Sequence, residues 1–151
     1  MKKTFDPSKL RKSLTKNIDG ISLGFADPST WINTGNDALN FRISGDFNKG
    51  VPLGKVTVLA GESGSGKSFL CAEIMRDAQK MGIFVVLIDT ENALDKEWLE
   101  RLGVDTSDEK ILKLNASMID DVAKIISDFV KDYKTEHGSS DPEERPKVLF
   151  V

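Results

Sequence analysis

Gly61-Glu62-Ser63-Gly64-Ser65-Gly66-Lys67-Ser68 sets three glycines, a lysine and a hydroxyl at the spacing G-x-x-x-x-G-K-[ST]. These residue types in this order suit one task, the holding of a polyphosphate. Many acceptor oxygens must be met by a row of backbone N–H groups turned toward one point, and side chains at Gly61, Gly64 and Gly66 would block that approach. Lys67 adds a mobile cation for the β- and γ-phosphates, and Ser68 a hydroxyl for Mg²⁺. From there Phe69 continues into a helix whose N-terminus contributes roughly half a positive charge. Glu62, Ser63 and Ser65 complete the loop, so residues 61–69 are the expected nucleotide cradle.

Such a loop has to be delivered by a strand and carried away by a helix. Residues 55–60 (K-V-T-V-L-A) predict a buried strand entering it. Residues 68–81 predict the helix leaving it, with Leu70, Ile74 and Ala78 on one face and Gly82 as its stop. Strand and helix then alternate. Residues 83–89 (I-F-V-V-L-I-D) are apolar enough for a strand covered on both faces, and residues 95–102 form a short helix stopped by Gly103. Residues 110–115 are the next strand. Ser117 is the expected cap of a helix, with Asp120 three residues on, and Ile119, Val122, Ile126, Phe129 and Tyr133 as its buried side. The pattern defines an α/β protein with a mainly parallel sheet flanked by helices.

The strand over residues 83–89 runs on into Thr90-Glu91-Asn92-Ala93-Leu94-Asp95, which puts carboxylates at its C-terminal tip. In a parallel sheet that tip opens on the ligand side. A water attacking a γ-phosphate needs a base or a positioning group, and Glu91 is placed to be one, the alternative being a merely solvated tip residue. His137 falls in a polar, turn-rich stretch over residues 134–146 and reads as a solvated loop histidine. Cys71, the single cysteine, has no partner for an internal disulfide and reads as small packing. No metal-ligand cluster or internal repeat stands out.

The composition, 39% hydrophobic and 30% charged over 151 residues, is that of one globular domain, expected in the cytoplasm. No apolar run approaches the length of a membrane span, and the N-terminus lacks a signal peptide's apolar stretch, so no membrane partner is expected. The net charge of −3 divides unevenly: residues 1–17 carry Lys2, Lys3, Lys9, Arg11, Lys12 and Lys16 against Asp6, leaving +5 there and −8 elsewhere. With Leu10 and Leu14 one turn apart, this segment predicts a short basic helix. A solvated terminus, docking on an acidic neighbouring subunit and contact with nucleic acid are its three readings.

Residues 147–151 (K-V-L-F-V) begin another apolar strand, of the kind that precedes the Walker B carboxylate, which orients Mg²⁺ through water. That acid is absent. The expectation is an N-terminal fragment that stops just short of it, with a complete small protein as the alternative.

Residues 88–105 (I-D-T-E-N-A-L-D-K-E-W-L-E-R-L-G-V-D) closely resemble the segment after the P-loop in RecA-type strand-exchange recombinases. Residues 31–57 resemble the approach to that loop, with a T-G pair, an apolar segment and G-V-P-L-G before the strand. Three separated motifs occur in family-like order over roughly residues 30–151. The S-G-D-F-N-K-G-V-P-L-G stretch is most similar to the phage UvsX-like branch.

The resemblance implies a RecA-like ATPase core beginning at residue 31, preceded by a basic oligomerisation segment and linker over residues 1–30. It implies ATP and Mg²⁺ as cofactors and Lys67 and Glu91 as catalytic, Glu91 activating the attacking water. Asp95 becomes a polar contact to adenine and Trp98 a ring stacked on the adenine face, a core anchor being the other reading of Trp98. In the full-length protein it implies a DNA-dependent ATPase for DNA recombination, repair and replication, in the host cytoplasm if phage-encoded. That protein would polymerise on single-stranded DNA through regions beyond Val151, with recombination mediator proteins as candidate further partners; this stretch alone is expected to be inactive. A hexameric helicase motor, a small-molecule kinase and a non-catalytic ATP-binding paralogue are the competing classes.

Overall fold

The computed structural model describes residues 6–9, 12, 16, 27–141 and 144–151. Residues 7–9, 12 and 16 are helical; Asp6 caps this start, its carboxylate accepting from the Ser8 N–H at 3.0 Å, with Pro7 in the first turn. Arg11, Leu10 and Leu14, the last two the apolar stripe expected of the basic helix, lie outside the described residues, as do Lys2 and Lys3.

The chain then forms β1 (Trp31–Ile32), α1 (Asp37–Ser44) and β2 (Val51–Pro52), with β1 and β2 antiparallel. A buried polar knot closes this unit. Asn40 Oδ1 accepts from the Thr34 N–H at 3.1 Å and from Thr34 Oγ1 at 2.7 Å, while Asn40 Nδ2 donates to the Phe47 carbonyl at 2.7 Å. Both side chains are almost wholly buried, so these bonds offset a desolvation cost that would otherwise be large.

Next come α2 (Lys67–Lys80), β3 (Phe84–Asp89), α3 (Lys96–Arg101), β4 (Ile111–Asn115), α4 (Ile119–His137) and β5 (Val148–Phe150). The sheet order is β4-β3-β5 and both pairings are parallel, with Val85 opposite Ile111 on one side and Leu149 on the other. Strand β3 is therefore central, which is why six consecutive residues without polar alternation end up covered on both faces. Its Val85 and Leu87 join Ala72, Met75 and Ala78 of α2, Leu99 of α3 and Ile111 of β4 in the main core. Toward the other side of the sheet, Phe129 of α4 meets Phe150 of β5 edge-on, with ring centroids 5.1 Å apart.

Helix α2 ends in a reversal that fixes its direction against β3. The Ile83 N–H donates to the Ala78 carbonyl at 3.1 Å and the Gly82 N–H to Gln79 at 3.0 Å, with Gly82 at φ +77°. This pair of hydrogen bonds around a left-handed glycine is the Schellman stop that Gly82 predicts.

Three expectations are corrected. Residues 55–60 are not a strand: β5 is the sheet edge among the described residues, nothing pairs with 55–60, and Val56 and Val58 are 92% and 80% exposed. Apolar alternation marks a segment able to pair, but a strand also needs a neighbour to take its hydrogen bonds. Ser117 does not cap α4; Met118 holds the N-cap position with no side-chain bond, and Asp120 and Asp121 face the helix dipole from the first turn. Helix α4 also runs further than expected, so residues 134–137 are helical and His137 sits 5.0 Å from the Tyr133 ring. On its expected buried face Val122, Phe129 and Tyr133 are half-buried, whereas Ile119 and Ile126 are exposed.

Candidate functional site

Helix α2 has 14 residues and β3 has six, so at ~1.5 and ~3.3 Å per residue both are about 20 Å long. The tight reversal at Gly82 makes them antiparallel, and they pack on each other through Ala72, Met75, Ala78, Val85 and Leu87. The N-terminus of α2 and the C-terminus of β3 therefore lie at the same end of the molecule. The first end carries residues 61–68; the second carries Glu91.

At the helix end, Gly66 is the N-cap residue in the left-handed region, φ +88°, with no side-chain bond to the first turn. Helices α1 and α3 are instead closed by Asn36 and Asp95. The leading N–H groups of α2 are thus left for an outside acceptor. Lys67 folds back, its Nζ donating to the Gly61 and Glu62 carbonyls at 2.9 Å each, and the Ser65 N–H reaches the Glu62 carbonyl at 3.3 Å. A Cβ at Gly61 would meet Ser65 Oγ at 2.7 Å, so a side chain there would force the Ser65 hydroxyl aside. Residues 61–66, Ser68 and Phe69 are exposed, and Lys67 is half-buried. Cys71, one turn further on, is half-buried; burial pushes its thiol up, which suits packing rather than reactivity.

At the strand end, Glu91 is exposed in a loop that turns through Asn92 at φ +50°, a left-handed position that asparagine tolerates. Asp95 is the N-cap of α3, its carboxylate accepting from the Trp98 N–H at 2.7 Å. Trp98 is half-buried and packs against the core, so part of its ring anchors α3.

Sequence reasoning missed two strand residues that hold this loop, Asp89 of β3 and Lys113 of β4. Asp89, buried at the end of β3, accepts from the Leu94 N–H at 2.9 Å and the Ala93 N–H at 3.3 Å and lies 3.1 Å from Lys113 Nζ. Lys113 also donates to the Leu94 carbonyl. Burial alone would raise the Asp89 carboxyl, but the bonds from Leu94, Lys113 and Ala93 outweigh it and hold the group below its ordinary value. No signal in one sequence relates a strand-end acid to a lysine two strand positions back on its neighbour.

The glycine-rich loop over residues 61–68 and the exposed Glu91 thus lie at one end of an α/β layer whose three-stranded sheet is parallel. Comparison with known proteins gives the family. Residues 25–130 match the RecA N-terminal domain. The chain is 34% identical over 97 residues to Protein RecA of Bdellovibrio bacteriovorus, covering 64% of this chain and 22% of that protein. Protein RecA of Clostridium botulinum (strain Eklund 17B) is 36% identical over 98 residues, 65% of this chain and 24% of its own length. Protein RecA of Aquifex aeolicus is 43% identical over 56 residues, 37% of this chain and 16% of its own length. This chain belongs to the RecA family. It spans less than a quarter of the curated relatives it matches.

Proposed function

We propose that this protein is a DNA recombinase that binds ATP with residues 61–69 and hydrolyses it when assembled on single-stranded DNA. What carries the reading is the arrival of the α2 N-terminus and the Glu91 tip of β3 at one end of the fold. The loop glycines leave backbone N–H groups open to phosphate oxygens, and Lys67 is already at the loop mouth, released from two carbonyls when a phosphate replaces them. The exposed Ser68 hydroxyl fits a hard cation, and residues 61–69 would hold Mg²⁺-ATP. Bound there, Mg²⁺ neutralises charge on the phosphates. Glu91 takes a proton from, or orients, the water that attacks the γ-phosphate. Asp95 and Trp98 would meet the adenine in this reading; Asp95 already caps α3, so an adenine contact would share its carboxylate.

Residues 1–30 serve in this reading as the oligomerisation segment and linker, and residues 31–151 as the first part of the ATPase core. The S-G-D-F-N-K-G-V-P-L-G stretch supports a place in the UvsX-like phage branch, and with it a part in replication and contact with mediator proteins. DNA contacts through backbone and base stacking would be largely independent of sequence.

The test is made in the full-length protein. Lys67→Ala is expected to weaken binding of a fluorescent ATP analogue by about tenfold or more. Glu91→Gln is expected to keep ATP and DNA binding while hydrolysis falls roughly 10²- to 10⁴-fold. Unchanged affinity in the first variant would remove the phosphate-cradle reading, and a parent rate in the second would move the catalytic role elsewhere. Strand-exchange activity rather than duplex unwinding separates a recombinase from a helicase motor.

A further inference from the structure

The loop bearing Glu91 is tied at one residue, Leu94, through both its N–H and its carbonyl. The N–H of Leu94 goes to Asp89 at 2.9 Å, and its carbonyl takes a bond from Lys113 Nζ. Asp89 and Lys113 themselves form an ion pair at 3.1 Å. The register explains how they meet: Asp89 stands opposite Asn115 and Leu87 opposite Lys113, so the two side chains rise on the same face, one diagonal step apart. The chain thus leaves β3 at Asp89, passes Glu91 and the left-handed Asn92, and is fastened back onto Asp89 at Ala93 and Leu94. Only residues 90–92 lie between the anchors, and Glu91 is the middle one.

We propose that Asp89 and Lys113 are positioning residues which clamp the 90–95 loop and so set where Glu91 stands for hydrolysis. The inference rests on the reading of Glu91 given above. A carboxylate that orients a water works within a narrow range, and a displacement of about 1 Å can cost two orders of magnitude in rate. Lys113 reaches the loop through two contacts, the Leu94 carbonyl and the Asp89 carboxylate. It acts by holding the Leu94 carbonyl and by supplying the cation that lets a buried Asp89 stay ionised and keep its two backbone bonds.

The experiment uses the full-length protein, with ATP hydrolysis followed on single-stranded DNA. Lys113→Met is expected to lower kcat by about 10- to 100-fold while KM for ATP changes little, because the phosphate cradle is untouched. Lys113→Arg, which keeps the charge and a donor, is expected to recover most of kcat. Adding Lys113→Met to Glu91→Gln is expected to cost nothing further, since a clamp on a residue already disabled has nothing left to hold. Lys113→Gln, which keeps a donor and loses the charge, serves if the methionine variant does not fold, and a drop rescued by arginine is again expected.

A parent-like kcat in Lys113→Met beside a slow Glu91→Gln would overturn the clamp and leave the role of Glu91 intact. A parent-like rate in Glu91→Gln would overturn the underlying reading instead. Equal losses in the methionine and arginine variants that add in full to Glu91→Gln would assign Lys113 to general structure, and the proposal would fall.

Discussion

Gln79 grips the backbone of Asp105 with both ends of its amide: Nε2 donates to the Asp105 carbonyl at 2.8 Å and Oε1 accepts from the Asp105 N–H at 2.8 Å. The two residues are 26 apart in sequence, and the pair ties the last turn of α2 to the turn that feeds β4. Replacing Gln79 with Leu keeps the volume and removes both bonds. A loss of about 1–3 kcal/mol is expected, read as a lower midpoint in urea unfolding. An unchanged midpoint would mean that water serves Asp105 equally well.

Gly66 offers a cleaner separation of stability from binding. Its φ of +88° charges an alanine roughly 1–2 kcal/mol, with no atom within 4 Å to add a clash. Gly45, at φ +78° and equally unobstructed, imposes a similar torsional cost at the far end of α1. Alanine at either position should therefore lower stability alike. Only Gly66→Ala should also weaken Mg-ATP binding, by about tenfold or ~1.4 kcal/mol. Calorimetric titration checks it, and equal affinities in the two variants would contradict a nest built on Gly66.

The site was legible at the level of local sequence and obscure wherever strands meet. Glycine spacing alone marks residues 61–68 as the candidate cradle, and the apolar run over residues 83–89 marks the strand that is central in the sheet. Gly82 and Gly103 marked true helix stops, both at positive φ. Residues 55–60 looked like a strand because side-chain pattern reports only the capacity to pair, whereas pairing depends on a neighbour. His137 was read as loop because its polar surroundings outweighed the helical spacing from Phe129 and Tyr133. Lys113 was invisible: its partner lies 24 residues earlier, on another strand, and only the register of β3 with β4 brings the two together.

Acid should loosen the loop at Asp89. The folded carboxyl is held below its ordinary value of 3.8, so it contributes stability that is present above about pH 4 and lost as pH falls through the lower folded value. Asp89→Asn should be less stable at neutral pH and should show a shallower decline below about pH 4. Some slope will remain. Asp46 and Asp105 are also held low, chiefly by the backbone N–H groups of Asn48 and Ser107. Unfolding midpoints across this range compare the two proteins, and parallel curves would remove Asp89 from the account.

Deleting residues 1–17 tests the basic segment. Lys9, Lys12 and Lys16 are exposed, as a helix offered to an acidic neighbour would require. If the segment docks on the next subunit, filaments of the truncated full-length protein on single-stranded DNA should be short, with the protomer fold unchanged. Raising salt should weaken assembly only in part, because charge is screened over ~10 Å at 0.1 M and apolar contact is not. Normal filaments by electron microscopy would leave the segment a solvated tail.

The placement of β3 between β4 and β5 also dictates an order of assembly. Val85 meets Ile111 across 26 residues of chain but meets Leu149 across 64. Closing the longer loop costs about 0.8 kcal/mol more in chain entropy, and on a ribosome its far end emerges later by the time needed to make α4. The half-sheet of β3 and β4, with its Lys113 tie to the Glu91 loop, can therefore form while β5 is still unsynthesised. Pulse-labelled hydrogen exchange should find the Val85 amide, which donates to Lys110, protected before the Val151 amide, which donates to Val86. The Glu91 tip would then be shaped early, and β5 would join the other side of β3 after it.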